Sequence, residues 1–406
     1  MKAAGVVVEY NPFHNGHLYH LNATREMSQA DVVIAVMSGN FLQRGEPALV
    51  SKWARTKMAL MNGADLVFEL PYQFSTQKAE VFANGAIKIL DAVGCSTLCF
   101  GSESGDAESF TATVNFLEQR RTIYDSLIRN HIKTGVSYPK AASLALDELK
   151  APHGTISLSE PNNILGYHYV KSIQSLGSKI EPLTVKRKSA NYHDEDFASS
   201  TIASATSIRK SLFTRSGGLD SIKQYIPDGT MQSLEEYLAD FLQFHSWDMY
   251  WPFLKYRLIQ SSPDELNSIY EAEEGLEKRL AAVALKAESF FEFMEAVKTK
   301  RYTWTRIQRL CTHILVNAKK EEMPNTEDSP EYMRLLGMSR LGKLYLNRNK
   351  GHFTLPVVSK LSAFSGIGIE LDKRASYIYA LGLAGSKSQK LLEMEYSQPP
   401  LFIEKR

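Results

Sequence analysis

Along the first hundred residues, unbroken apolar runs alternate with stretches in which apolar residues recur every three or four positions. The runs are Ala3–Val8, Asp31–Met37, Leu66–Leu70 and Thr97–Phe100; the periodic stretches between them are Gly16–Met27, Ser51–Asn62 and Lys78–Val93. Runs of β-branched residues without alternation fit strands covered on both faces, and the three-to-four-residue period fits the helices that cover them. The order β-α-β-α-β-α-β predicts a parallel sheet with right-handed crossovers, in which ligands collect at the carboxyl ends of the strands.

From Asp106 to Leu149 the pattern is helical. Asn162–Leu176 predicts a further helix, Ile180–Lys186 a strand, and the α/β unit closes near Thr206–Phe213. After Ser216, Gly217 and Gly218 come long amphipathic segments with few strand signals, running to about Asn317, with later breaks at Pro324–Pro330 and Gly366–Ile369. We place a domain boundary near residue 220: an α/β domain over residues 1–220 and a mainly α-helical domain over residues 221–406. A chain of 406 residues accommodates both.

Charge and cysteine content narrow the setting. With 47 Lys and Arg against 45 Asp and Glu the chain is not a polycation, although a local basic face remains open to it. Cys95, Cys99 and Cys311 make a poor disulfide framework. The N-terminal apolar run ends at Val8, too short for a signal peptide, and no later run approaches a membrane span. A soluble, cytoplasmic protein is expected.

The most informative segment is Val7-Val8-Glu9-Tyr10-Asn11-Pro12-Phe13-His14-Asn15-Gly16-His17-Leu18-Tyr19-His20. A buried strand ends at a turn, and a helix opens two residues after His14. His14 and His17 therefore sit where free backbone N–H groups and the helix dipole favour an anion, and Gly16 lets a phosphate approach the backbone. Two imidazoles at this place can donate to charge developing on phosphate oxygens. The alternatives are ordinary capping residues, or a zinc pair. Zinc would need Cys95 and Cys99, which as part of a strand lie about 13 Å apart; both read better as buried strand residues, and no metal site is expected. A P-loop of the form Gly-X4-Gly-Lys-Ser/Thr does not occur.

The pattern His-X-Gly-His after a first strand resembles the signature of the nucleotidyltransferase and class I synthetase superfamily, whose members attack the α-phosphate of ATP. A second motif, Ile202-Ala203-Ser204-Ala205-Thr206-Ser207-Ile208-Arg209, is similar to that superfamily's second phosphate-holding motif. Ser204, Thr206, Ser207 and Arg209 match its polar skeleton and Ala205 replaces a serine. A plain helix N-cap is the alternative.

Between these anchors, Val36–Pro47, Ser51-Lys52-Trp53-Ala54-Arg55, Phe100-Gly101-Ser102-Glu103, Pro161–Gly166 and Arg301–Arg306 resemble the tRNA(Met) cytidine acetate ligase family over nearly the whole chain. The resemblance implies a Rossmann-like nucleotidyltransferase domain and ATP contacts by Val7 to His20, Gly101, Asn162 and Arg187. It also implies ATP as substrate, with Mg2+, and acetate and elongator tRNA(Met) as partners. Next to Arg187, Lys188, Ser189 and Asn191 depart from the family pattern. The implied activity is acetylation of N4 of the wobble cytidine, position 34, through acetyl-adenylate. Glu9, Asp65 and Glu69 near strand ends are candidate bases for the amine, with strand-end solvation as the alternative. Arg44 and Lys52 meet acetate or a tRNA phosphate, or else make salt bridges.

Independently of resemblance, residues 298–320 hold Lys298, Lys300, Arg301, Arg306, Arg309, Lys319 and Lys320 and no acidic residue. Tyr302 and Trp304 lie among them. Cations that neutralise phosphate, beside aromatics that stack on unpaired bases, predict an RNA-binding surface; Lys298, Lys300, Arg301, Trp304, Arg306 and Arg309 are its expected residues. Two rival readings share parts of this evidence: a small-molecule adenylyltransferase has no need of the basic helical half, and a non-catalytic RNA-binding protein has no need of the histidines.

Overall fold

The computed structural model describes residues 1–187, 201–214, 217–273 and 275–404. Within them, strands β1 (Ala3–Val8), β2 (Val32–Ser38), β3 (Leu66–Leu70), β4 (Thr97–Ser102), β5 (Glu181–Lys186), β6 (Met333–Ser339), β7 (Val357–Val358) and β8 (Leu401–Ile403) make one sheet. Its order is β5-β4-β1-β2-β3-β6-β7, with β8 also paired to β6. The first five strands are parallel to one another, and β6 joins β3 antiparallel. From β1 the chain steps outward through β2 and β3, then returns to place β4 and β5 on the other side. A crevice opens at such a reversal, above the carboxyl ends of β1 and β4.

The β2 residues show why the sheet is covered on both sides. Val33, Ala35 and Met37 enter one apolar cluster, and Val32, Ile34 and Val36 enter the other. The second cluster includes the helix Ala79–Ala92 and the helices between Ala107 and Leu176. The first includes the helix Asn15–Ser28 and runs on without a break into Tyr250, Leu310 and Tyr379. Residue 220, the expected boundary, lies in the 3-10 turn Leu219–Tyr225 that follows the helix Ala205–Leu212. Strands from beyond it nevertheless complete the sheet. The sequence pattern predicted none there, because β7 and β8 have two and three residues and β6 carries Arg334 in its interior, so none presents a readable period.

Buried charge ties the two halves together. Lys52, fully buried, places Nζ 2.8 Å from Glu69 on β3 and 2.8 Å from Glu395 in the helix Ser386–Ser397. Arg334 on β6 reaches the same two carboxylates at 3.2 and 2.5 Å and lies over the Trp53 ring. Two cations thus face two anions. Nearby Asp372, taken up by the Tyr72 backbone N–H and the Tyr332 hydroxyl, is pushed up to about 7 by burial and by Glu69. Lys52 is therefore a salt-bridge residue of the fold, not a contact for acetate or tRNA, and Glu69 is not a free base. Asp65 is likewise engaged, by Arg25, Ser339 and the Val33 backbone N–H.

Replacing one member of a buried ion set leaves an uncompensated charge. Lys52→Met is expected to lower the unfolding free energy by ~3–5 kcal/mol in urea titration. Adding Glu395→Gln restores neutrality and should recover about half of that loss; a double variant no better than the single one would contradict the pairing. A second expectation concerns acid. His245, held between the Tyr237 and Tyr250 hydroxyls at 2.8 and 2.6 Å, and His313, bonded to the Tyr72 hydroxyl at 2.9 Å, are lowered by burial to about 3 and about 4. The unfolded chain takes up these protons near pH 6.5 and the folded chain does not. Stability is then complete above pH 7 and falls between pH 6.5 and 4, by up to about 3 kcal/mol per pH unit from these two rings. Thermal melts across that range check the sign.

Candidate functional site

After β1, the chain turns through Tyr10, at φ 52°, and a cis Asn11–Pro12 bond into the helix Asn15–Ser28. His14 is the N-cap. Its Nδ1 accepts the Gly16 N–H at 3.1 Å, and the Nδ1 of His17 accepts the His14 N–H at 3.2 Å. The rings stack with centroids 3.6 Å apart. A side chain at Gly16 would bring Cβ within 2.9 Å of the His14 ring, so here the glycine makes room for the capping imidazole itself. Because each Nδ1 is an acceptor, the neutral rings carry their proton on Nε2. The Nε2 of His20 is buried without a partner among the described residues. Burial first, then the fields of Arg187 and Arg209, press His14 down to about 3. Burial, with His14 and Arg187, holds His17 well below its ordinary value. Near pH 7 both rings are neutral donors.

These rings line a cavity of about 250 Å3 at the sheet crevice. Of the residues expected to contact ATP, the structure brings Val7, Val8, Glu9, Tyr10, Asn11, His14, Gly16, His17, Tyr19, His20, Gly101, Asn162 and Arg187 to its wall. Pro12, Phe13, Asn15 and Leu18 are not on it. Phe13 is core, and Asn15 ties its helix to the Thr201 and Gln224 carbonyls, at 2.9 Å each. Asn162 is held by Glu103, whose carboxylate also accepts the backbone N–H groups of Asn162 and Asn163 at the start of the helix Pro161–Leu176. The departures at Lys188, Ser189 and Asn191 lie outside the described residues.

The second motif also reaches the cavity, through Ser204, Thr206 and Arg209. Ser204 caps the helix Ala205–Leu212 by accepting the Ser207 N–H at 3.0 Å, and the Ser207 hydroxyl turns back to the Ser204 carbonyl at 2.9 Å. The motif is thus an N-cap whose residues also form part of the cavity wall, with Ser207 on the structural side. Arg209 donates to the Asn11 carbonyl at 2.8 Å and to both oxygens of Glu46, at 3.0 and 2.9 Å.

Sequence reasoning quoted Gln43 and Glu46 without assigning them a role, yet with Arg44 they form one wall of the cavity. Their only sequence signal was position, at the end of the second strand in a parallel sheet. Arg55, fully buried, donates to the carbonyls of Glu9, Ser38 and Gly39, and so fixes the strand ends against this loop. The loop's other side seats the helix Trp304–Val316: Gln308 Nε2 donates to the Arg44 carbonyl at 3.0 Å and the Thr312 hydroxyl to the Gly45 carbonyl at 2.6 Å.

The basic cluster divides on the structure. Lys298, Lys300 and Arg301 are exposed. Arg306 is half-buried, over the Tyr302 ring and 3.1 Å from Glu273. Arg309 is bidentate to Glu271, 2.9 to 3.1 Å away, and thereby spent on the fold. Trp304 lies against Phe291, its indole N–H donating to Gln308. No described helix is long and apolar enough to cross a membrane. Cys95, Cys99 and Cys311 are buried, and burial raises all three thiols.

Residues 1–394 match the HIGH Nucleotidyl Transferase family. The chain is 49% identical to the tRNA(Met) cytidine acetate ligase of Geobacillus sp. (strain WCH70), over 99% of this chain and 100% of that protein. To the protein of the same name from Bacillus subtilis (strain 168) it is 45% identical, over 99% and 97%. Among solved structures it superposes on apo Thermotoga maritima TmcAL with a TM-score of 0.92 at 34% identity, and on the same protein bound with alpha-thio ATP with 0.91 at 33%, each covering 100% of both chains. With its histidine-lined crevice and its full-length likeness to these ligases, the chain belongs to the tRNA(Met) cytidine acetate ligase family of HIGH nucleotidyl transferases.

Proposed function

We propose that the protein is a cytoplasmic ligase that activates acetate with ATP as acetyl-adenylate and transfers the acetyl group to N4 of the wobble cytidine, position 34, of elongator tRNA(Met). The observation that carries this reading is the meeting, in one cavity, of two neutral imidazoles with fixed Nε2–H donors, the guanidiniums of Arg44, Arg187 and Arg209, and a second helix N-terminus. The relatives' printed names and the ATP analogue bound by the Thermotoga protein support it.

In the first step an acetate oxygen attacks the α-phosphorus and pyrophosphate departs. His14 and His17 donate to the phosphoryl oxygens as they gain charge, a gain that a neutral donor matches without having to expel a proton. Arg187 and Arg209, whose fields already bear on the imidazoles, balance the polyphosphate. Ser204 and Thr206 lie beside them at the helix start. Mg2+ enters with ATP as its counter-ion. Among the described residues there is no group of three or more His, Cys, Asp or Glu that could hold a metal ion; Mg2+ bound with the polyphosphate would offset its charge. Alignment does most of the remaining work, since no covalent enzyme intermediate is needed.

In the second step tRNA approaches from residues 221–406, which we assign as its platform, against the ATP-binding residues 1–220. Lys298, Lys300 and Arg301 meet phosphates, and half-buried Trp304 and Arg306 form the adjoining aromatic and cationic surface, with Tyr302 buried beneath Arg306. Arg309 is left out because Glu271 holds it.

Two measurements test the reading. His17→Ala is expected to reduce acetate-dependent ATP–pyrophosphate exchange by about 10²–10³-fold, the worth of one donor aimed at a transition state, while tRNA binding persists. Undiminished exchange would remove His17 from the mechanism, and labelled acetate recovered in a dinucleotide rather than in tRNA would favour a small-molecule adenylyltransferase. Lys300→Ala with Arg301→Ala should weaken tRNA binding and reduce its salt slope by roughly 0.7–0.9 per lost phosphate contact, with exchange retained. An unaltered slope would move the RNA surface elsewhere.

A further inference from the structure

One corner of the cavity carries two carboxylates. Glu9, at the end of β1, stands half-buried in the wall that also holds His14 and His17, and Glu46 lies on the neighbouring Phe41–Pro47 loop. Carboxylates only accept, so they repel phosphate and receive donors. Glu46 is occupied by Arg209 at both oxygens. Glu9 is half occupied: Oε1 accepts the Gln43 backbone N–H at 2.8 Å, and Oε2 has no hydrogen-bond partner among the described residues. The Tyr10 hydroxyl, on the next residue, is buried and lacks a partner among the described residues. Asp65 and Glu69, the other carboxylates considered for proton transfer, are locked in ion pairs away from the cavity wall.

We infer that Glu9 is the proton acceptor of the acyl-transfer step, its free oxygen receiving N4–H of the target cytosine as that nitrogen attacks the acetyl carbonyl. The inference rests on the two-step reading above. The N4 lone pair forms the new bond to the carbonyl carbon and the N4 proton passes to the Glu9 carboxylate. The carbon–oxygen bond to the phosphate then breaks, its electron pair leaving with AMP. A cytosine amine is a poor nucleophile whose proton becomes acidic only as the new bond forms, so the acceptor must be placed at the nitrogen and be more basic than an ordinary surface carboxylate. Burial supplies that basicity by raising Glu9, against the opposing pull of the Gln43 N–H and Arg44. Recognition follows the same chemistry, because Glu accepting from cytosine N4 is an ordinary base-edge contact. Placement fits as well. Gln43, which orients Glu9, belongs to the loop on which the helix Trp304–Val316 is seated, so the RNA-facing helix and the acceptor's partner are one packed unit.

The test separates the two half-reactions. Single-turnover transfer from preformed acetyl-adenylate to tRNA(Met) is followed across pH 5 to 8 for the wild type, Glu9→Gln and Glu9→Asp, with ATP–pyrophosphate exchange measured in parallel. Glu9→Gln is expected to slow transfer about a hundredfold more than it slows exchange, and to lose the acidic limb of the pH–rate profile. Glu9→Asp should keep the limb and regain part of the rate. Equal losses in transfer and exchange would assign the carboxylate to ATP and overturn the inference, as would undiminished transfer with an intact limb. A wild type that forms acetyl-adenylate but never acetylates tRNA would defeat the underlying function instead.

Discussion

Two hydrogen bonds from backbone to imidazole organise the site. By accepting the Gly16 and His14 N–H groups, the Nδ1 atoms of His14 and His17 satisfy the open end of a helix and at the same time settle which nitrogen of each ring carries the proton. An N-cap that was only a serine would close the helix equally well and leave nothing to donate outward. The same burial that keeps the rings neutral keeps them from repelling Arg187 and Arg209, so both imidazoles share a small cavity with these guanidiniums without adding two further positive charges.

Buried charge does the complementary work at the far edge of the sheet. Lys52, Glu69, Arg334 and Glu395 come from a helix after β2, from β3, from β6 and from the last helix, so their mutual neutrality requires all four segments to be present. A hydrophobic quartet of similar volume could pack there with less desolvation cost, but it would tolerate sliding of β6 along β3; charges that find partners only in one register do not. The antiparallel strand added by the C-terminal part is therefore positioned by electrostatics as much as by its ladder.

How far the chain could be read in advance follows from these same residues. The parallel core was legible because β1 to β4 are continuous apolar runs and the helices between them keep a clear period. The His-X-Gly-His turn was legible because its place after a first strand limits what it can do. β6 was not, since Arg334 breaks an apolar run from within and its partners lie 265 positions upstream at Glu69 and 61 downstream at Glu395. Nor could residue order show that Lys52 faces the interior, or that Glu271 would claim Arg309 from a cluster that looks uniformly basic. Long-range pairing of charges leaves no local period, and it decides which cations are free.

The Phe41–Pro47 loop joins the cavity wall to the helix Trp304–Val316. Gly45 adopts φ 78°, and a Cβ there would come within 2.6 Å of the Arg309 Cα, so the loop and the helix Trp304–Val316 meet backbone to backbone. On its other side the loop carries Glu46, which holds Arg209, and Gln43, which holds Glu9. A contact this close transmits position with little slack, because neither surface has a flexible side chain to absorb a shift. The cavity residues Glu9 and Arg209 are thus referenced to the helix Trp304–Val316 by main-chain packing rather than by the reach of any single side chain.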